Sequence, residues 1–453
     1  MWVRKRLDFG YADVLYGLTA SCRRLDRSRL VCQVRQSWAQ AAECLPCLSV
    51  RSGFDLLLQV LGLPHGSEVL MSAVTIHDMV RIVHQHGLTA VPLDVDLHTM
   101  APPVEAVQRA ISPRSRVIVL AHLFGGRAPI DPIIEIARQH RLLVVEDCAQ
   151  AFAGSPYQGH PLAEVSMFSF GPIKTATALG GAVLHVRDAA LRERLQAAHQ
   201  TWPVQPEGQF RRRLLKYAML KFLSARIIVR SVVGVYRAVG WDYDRMINGS
   251  VRGFPGPDFW RRIRRQPASS LLGLLARRLQ TYDLRRVQRR TRSGEFLRQQ
   301  LAAVVALPGK DCLGRTHWVF PVMAENPQRL VAALLDGGFD ATQGQSLCVV
   351  PAPTERAGLR ALRAEQFLAK AVFLPIYPEL PQAAVEKMAA IVKTQAALGG
   401  VLLPPLEQRT QPAEEDHTAH HGCADGRDQH GGAADVQGLA QLGVHFVGER
   451  PSH

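Results

Sequence analysis

The sequence has no uncharged apolar run near the ~20 residues that cross a bilayer, so no segment reads as a membrane span. Its basic opening, residues 1–6, is not followed by the apolar core of roughly 7–15 residues that marks a secretory leader. The expected location is the cytoplasm. Cysteine is sparse: of eight, only Cys44 and Cys47 form a CxxC, and no second pair stands at zinc spacing. That spacing describes ordinary thiols in a reducing compartment and predicts no metal site. No zinc-finger, RNP or basic-zipper pattern is present, which argues against nucleic acid as a partner. Acidic residues are the minority, 39 against 54 Lys and Arg, for a formal charge of +15. The excess is concentrated in arginines between Arg211 and Arg298. It points to anionic partners: phosphates or an acidic membrane surface.

What is present is a 453-residue chain, 47% hydrophobic and 21% charged. That is a globular composition, long enough for more than one domain. Residues 1–48 carry weak helical patterns and read as an N-terminal arm. From Ser52 the signal sharpens. Phe54, Leu57, Leu58 and Leu61 fall on one helix face, and Ser52 is placed as the N-cap with Gly53 allowing close approach of a ligand. The free amides of such a helix start can hold a phosphate. Strand-like runs at 68–71, 90–94, 116–122, 142–147 and 166–170 are mostly separated by helical stretches at 75–86, 103–111 and 130–140. Apolar strands between amphipathic helices predict a largely parallel sheet covered on both faces, with ligands at the strands' carboxyl ends.

Residues 49–300 are therefore expected to form a large domain and 301–400 a smaller α/β unit. The latter has strands at 317–322 and 373–376 and helices at 327–336 and 382–397. Within the large domain, 201–262 is an insertion with a basic amphipathic pattern. Lys216, Arg226, Arg230 and Arg237 share a narrow arc, Lys221 lies outside it, and Leu215, Met219, Phe222, Leu223, Ile227, Ile228, Val232 and Val233 supply apolar surface. Segment 211–240 reads either as a peripheral contact with anionic membrane at its inner face or as a helix in a dimer interface. Residues 267–300 read as one long arginine-rich helix. The polar tail, 401–453, holds His417, His420, His421 and Cys423, but its composition is that of a disordered segment rather than of a metal site.

The chemistry gathers in VVEDCAQAFAGSPYQGHPLAEVSMFSFGPIKTATALGGAV. Asp147 closes an apolar strand, and Lys174 follows another. Those two groups are what pyridoxal 5′-phosphate (PLP) requires: an amine for a Schiff base and a carboxylate that keeps the ring nitrogen protonated. Gln150 can bond the ring oxygen, and Ser169 can donate to the phosphate together with amides near Gly53. Gly180-Gly181 lets the chain pass close by. Each residue alone has a bland explanation as a cap, a solvated lysine or an ordinary strand position. Their order within an α/β array is far more specific.

This run resembles the DegT/StrS-type family of PLP-dependent aminotransferases, which act mostly on nucleotide-linked keto sugars. The resemblance extends from about Ser49 to Val392 and includes GSEVLMSAVT, VPLDVDLHTM, VIVLAHLFGG and FLPIYPELP. It implies fold type I of PLP enzymes, a homodimer with sites at the subunit interface, and glutamate as amino donor. It sets Asp147 on the ring nitrogen, Gln150 on the ring oxygen, Ser169 on the phosphate and Lys174 on the Schiff base, with Lys174 and Asp147 as the catalytic pair. The phosphate loop, Ser52-Gly53-Phe54-Asp55-Leu56, departs from the family's Ser-Gly-Thr-Ala-Ala. The ring-stacking position falls on Ile76 or His77, with His77 preferred. The family's partner-subunit asparagine has no equivalent near Arg264-Arg265, and a histidine expected at 342–345 is absent. The implied function is transfer of an amino group to a nucleotide- or lipid-linked keto sugar in amino-sugar or polysaccharide synthesis. The alternatives are another fold type I enzyme, a desulfurase using Cys348 or an acyl-condensing synthase, and an inactive PLP-fold scaffold at a membrane. Lys174 argues against the family's dehydratases, which carry histidine there.

Overall fold

Short runs dense in valine, leucine and isoleucine pair side by side, and the amphipathic stretches between them close over both faces of the resulting sheet. The structure is a computed structural model that describes residues 1–4, 6–154, 157–224, 254, 258–344 and 346–398. All lie within the compact unit Met1–Arg409; a second unit, Thr410–His453, falls outside the described residues, as does the whole of the histidine-rich tail. Arg226, Arg230 and Arg237 of the basic arc, with Ile227, Ile228, Val232 and Val233 of its apolar surface, also lie outside them.

The chain opens with α1 (Tyr11–Ala20), α2 (Arg27–Arg35), the edge strand β1 (Cys44–Cys47) and α3 (Val50–Leu61). Then come β2 (Glu68–Ser72), the short β3 (Val74–Thr75), α4 (His77–Gln85), β4 (Thr89–Leu93), α5 (Val104–Ala110), β5 (Ser115–Ala121), α6 (Asp131–Gln139) and β6 (Leu143–Asp147). β7 (Val165–Ser169), β8 (Ala182–Val186), α7 (Ala189–Gln200) and α8 (Glu207–Leu223) follow. Next are α9 (Phe259–Ile263), α10 (Ser269–Thr281) and α11 (Arg285–Leu301). The chain continues with β9 (Phe320–Met323), α12 (Pro327–Asp336), β10 (Cys348–Val349), α13 (Leu362–Lys370), β11 (Ala371–Leu374) and α14 (Gln382–Ala397).

Seven strands form one sheet in the order β4-β2-β5-β6-β7-β8-β1. From β4 to β7 every pairing is parallel; β8 and β1 join antiparallel. Successive strand residues face opposite ways. Val69, Val117 and Val145 therefore meet Phe54, Leu57 and Ile82 on one face, while Leu70, Ile118 and Val144 meet Val107, Ile133 and Ile134 on the other. A two-stranded sheet, β9 with β11, carries a separate core with α12, α14 and the end of α11, including Leu297, Leu330, Val372 and Val385.

Three expectations are corrected here. Helix α3 starts three residues earlier than read, with Ser49 as N-cap: its hydroxyl accepts from the Ser52 amide at 3.1 Å. The arginine-rich stretch is two helices, not one. Tyr282 turns extended between them and donates its hydroxyl to Asp8 at 2.6 Å, and Asp283 caps the restart through the Arg285 amide at 3.0 Å. The strand expected at 317–322 begins only at Phe320, because His317 takes a left-handed backbone (φ 47) and sends Trp318 toward the large sheet.

Residues 1–48 pack onto the large sheet and its helices. β1 completes the sheet against β8, and α1 and α2 pack on α10. Ahead of them the extreme N-terminal segment spans the molecule. Trp2 exchanges backbone hydrogen bonds with Gly338 (2.8 Å) and Asp340 (2.9 Å), and Arg4 pairs with Asp340. A few residues on, Asp8 accepts from Arg286 at 2.9 Å and from Tyr282.

Candidate functional site

A cavity of about 700 Å³ opens at the carboxyl ends of β6 and β7, the place where parallel α/β sheets bind ligands. Asp147, Gln150, Ser169, Lys174 and His77 all line it. Ser52, Gly53 and Phe54 do not, and the shifted start of α3 is the reason. Ser52 is buried within the first turn, Phe54 is buried in the core, and Gly53 is a packing position: a Cβ there would fall 2.3 Å from Leu184 of β8. The residues that α3 presents to the cavity are Ser49, Val50 and Arg51. Asp55 faces away, held by Arg264 in a two-point contact at 2.8 and 3.0 Å and by His86 at 3.0 Å.

The two carboxylates that end β6 diverge because neighbouring strand residues point to opposite faces. Glu146 turns inward, where His122 (2.6 Å), Ser166 (2.7 Å), Tyr157 and the His160 amide (2.8 Å) surround it. Burial pushes its carboxyl up, but these hydrogen bonds outweigh burial and hold it well below the usual range. Asp147 turns to the cavity. Burial raises its carboxyl above the ordinary value, against the pull of the Ala149 amide at 2.9 Å and of Lys174. A cationic group placed against it would relieve that cost.

Lys174 sits in the loop between β7 and β8, and that loop is fixed from three sides. Arg290 of α11 bonds Thr175, the Trp318 indole donates to the Ile173 carbonyl at 3.0 Å, and Asp8 accepts from the Ala176 amide at 3.4 Å. Inside, Thr177 bridges to the Phe170 and Gly171 carbonyls. Ala176 and Leu179 hold left-handed backbone, φ 53 and 61, a strain that surrounding contacts must sustain. Gly181 also has positive φ, 85, and a Cβ there would press on Leu275 at 3.1 Å. The Lys174 amine lies 4.1 Å from the centre of the Trp318 ring, with no ion pair among the described residues. Burial brings its pKa down to about 8; Asp147 opposes that shift and Arg51 adds to it.

Gln150 is oriented as well: its Oε1 accepts from the Phe124 amide at 2.8 Å, so its NH₂ is the group left for a ligand. His77 and Ile76 both reach the cavity at the start of α4. Cys348 does not. It lies half-buried on β10, paired with β3, and burial pushes its thiol up to about 11. Reading residues one by one missed Arg4, Arg6, Arg51, Arg213 and Trp318, all of which line the cavity. Their signal is three-dimensional, since none belongs to a local motif.

Set together, these groups offer an acid aimed at one end of a flat ligand, a low-pKa amine beside it, and hydroxyls with a helix N-terminus beyond. PLP matches that layout. The sequence model of the DegT/DnrJ/EryC1/StrS aminotransferase family matches residues 34–225. Over 165 residues the chain is 30% identical to the UDP-4-amino-4-deoxy-L-arabinose–oxoglutarate aminotransferase of Shewanella sediminis, a match covering 36% of this chain and 42% of that protein. The chain spans less than half the length of the curated relatives it matches. Among solved structures, the aminotransferase TlmJ of Streptoalloteichus hindustanus superposes with a TM-score of 0.63 at 20% identity, covering 88% of this chain and 100% of the other. NtdA of Bacillus subtilis, with bound cofactor PMP, does so at 0.61 and 15% identity, over 86% and 83%. At those identities the likeness shows the fold: an α/β architecture with a mostly parallel seven-stranded sheet.

Proposed function

Taking the chain as a member of the DegT/DnrJ/EryC1/StrS aminotransferase family, matched over residues 34–225, we propose that it is a PLP-dependent aminotransferase. It moves an amino group from an amino acid, L-glutamate, to a keto sugar carried on a nucleotide or a lipid. The observation that carries this reading is the pair Asp147 and Lys174, brought from separate segments to one cavity. Glutamate is favoured because a relative is named as an oxoglutarate aminotransferase, and oxoglutarate is the keto partner of glutamate.

When bound, PLP supplies an electron-poor ring that draws negative charge from the carbon bearing an amine. Asp147 would hold the proton on the ring nitrogen, an opposite charge that its raised pKa calls for. The Gln150 NH₂ would face the ring oxygen, and Ser49, Ser169 and the first amides of α3 would take the phosphate. Lys174, with a pKa of about 8, can both give and accept a proton near neutral pH, as a general acid/base must. Trp318 shields that amine from water on one side.

A cysteine desulfurase needs a thiolate on a mobile loop; Cys348 is a strand residue with its thiol protonated. An acyl-condensing synthase has no feature here in its favour. A scaffold without catalysis would have no use for the restrained Lys174 loop.

The test is direct. PLP-loaded protein given L-glutamate should release 2-oxoglutarate and leave pyridoxamine phosphate, and Lys174→Ala should do neither. Turnover by that variant would sink the mechanism; turnover with another amino acid but not with glutamate would sink the donor.

The chain also works, on this proposal, as a homodimer, which light scattering would show as twice the 50.0 kDa chain mass. A contact with anionic membrane is supported by the α1–α8 face. The two helices pack antiparallel: Arg211 reaches Cys22 at one end and Lys221 donates to the Leu7 carbonyl at the other. Six of the eleven exposed large apolar residues among those described lie there: Tyr11, Leu15, Leu215, Met219, Phe222 and Leu223. Arg23, Arg24, Arg211, Arg212 and Lys216 are exposed beside them. Asp13 and Glu207, the acids of these two helices, are turned to Arg278 and Ser270. A second copy meeting this face about a two-fold axis would bring cations onto cations, so an anionic lipid surface suits it better.

A further inference from the structure

We infer that Arg213, from the same chain, supplies the countercharge for the phosphate of the bound cofactor. The inference rests on the PLP reading above and names a residue that neither the family pattern nor the sequence motifs mark.

Three successive arginines, Arg211, Arg212 and Arg213, lie on α8. The first two are exposed, whereas the third turns inward beside the buried stripe of Phe210, Leu214 and Tyr217 and lines the cavity. Its position can be fixed from its neighbours. A Cβ on Gly180 would stand 4.0 Å from the Arg213 guanidinium carbon. The Gly181 amide in turn donates to the Leu48 carbonyl at 2.9 Å, and the Phe170 amide donates to the Gly181 carbonyl at 3.0 Å. Arg213 therefore lies over the Gly180-Gly181 turn ahead of β8, which is hydrogen-bonded both to Phe170, next to Ser169 at the end of β7, and to Leu48, next to Ser49 at the start of α3. Those are the hydroxyl and the helix N-terminus already assigned to the phosphate.

The charge at this end of the cavity is unbalanced. Arg51 has a carboxylate partner, Asp78, at 2.6 Å. Arg213 has none among the described residues: the groups facing it are Arg51, Lys216 and the Tyr217 phenol, which is the neutral group it bonds, and its Nε is buried without a hydrogen-bond partner. A guanidinium taken out of water without an anion is costly unless a ligand provides one. A phosphate dianion, with its three acceptor oxygens, matches both the charge and the planar donor fork. The fork also accounts for a missing part. The asparagine that a partner subunit usually supplies has no equivalent near Arg264, which is committed to Asp55. Arg213 fills that role from within the chain.

The experiment compares PLP with pyridoxal, the same ring without phosphate, titrated by visible absorbance into wild type, Arg213→Gln and Arg213→Lys, with circular dichroism confirming folding. Arg213→Gln should lose 10- to 100-fold in PLP affinity, as expected for a charge-assisted contact of about 1.5–3 kcal/mol. Its pyridoxal affinity should match wild type, and Arg213→Lys should recover part of the loss. Unchanged PLP affinity in Arg213→Gln would overturn the assignment while leaving the aminotransferase reading intact. Equal loss for both ligands would overturn it too, since a disturbed ring site rather than a phosphate contact would then be at fault. A raised acceptor KM with unchanged PLP affinity would move the residue to an anionic group of the substrate. If wild type binds neither ligand, the PLP reading itself falls and the inference with it.

Discussion

At the scale of single residues, the proposed aminotransferase chemistry depends on one amine being nucleophilic near neutral pH. Burial lowers the Lys174 pKa to about 8, so roughly a tenth of it is uncharged at pH 7. The rate at which cofactor-free protein captures PLP should rise with pH through a midpoint near 8 and then level. Borohydride trapping followed by peptide mapping reads that profile at Lys174. A rate still climbing at pH 10 would mean an ordinary, solvated lysine. Asp147 and Lys174 were legible in the sequence because each ends or follows a recognisable apolar run. Trp318 was not, because its run, HWVFPV, reads as strand throughout. The left-handed turn at His317 that redirects the indole has no local signature.

At the scale of elements, the start of α3 sets the geometry of the proposed phosphate end. Ser52-Gly53 looks like a cap followed by a ligand-facing glycine, and the sequence offers nothing local to refute it. The actual demand for glycine at 53 comes from Leu184, some 130 residues later, against which the helix lies too closely for any side chain. The cap is Ser49. Ser49→Ala should cost about 1 kcal/mol of stability, read from the urea midpoint, and should weaken PLP binding in the same protein. Ser52→Ala should leave the capping contact to the Ser52 amide in place and affect PLP binding less. Equal loss of PLP affinity in both would return the phosphate loop to 52–54. The parallel strands were legible as apolar runs up to β7, mostly with helices between them; their order in the sheet was not. The antiparallel return of β8 and the edge strand β1 were not, since Cys44–Cys47 is four residues long and contains a proline.

At the scale of the molecule, charge and apolar surface are gathered on the α1–α8 face. Flotation with anionic vesicles should carry the protein up, and Phe222→Glu with Met219→Glu should release it. Each exposed lysine or arginine near such a surface contributes ~1 kcal/mol, so added salt should weaken recovery. Equal recovery with neutral and anionic vesicles would remove the electrostatic contact.

The N-terminal segment bears on how the molecule is assembled. Trp2 and Arg4 bond to Gly338 and Asp340, a sequence separation of 336 for the Arg4–Asp340 pair. Arg4, Arg6 and Asp8 also form part of the cavity wall. The wall therefore stays incomplete until a stretch more than three hundred positions downstream has emerged and folded. Contacts this distant along the chain form late, after their loop-closure entropy has been met. Cofactor uptake should accordingly be among the last events of folding, following the main sheet rather than nucleating it. The same geometry makes a bulky fusion directly ahead of Trp2 a poor choice, because it would crowd the contacts with 338–340 through which Trp2 and Arg4 hold the Arg4–Asp8 part of the wall in place.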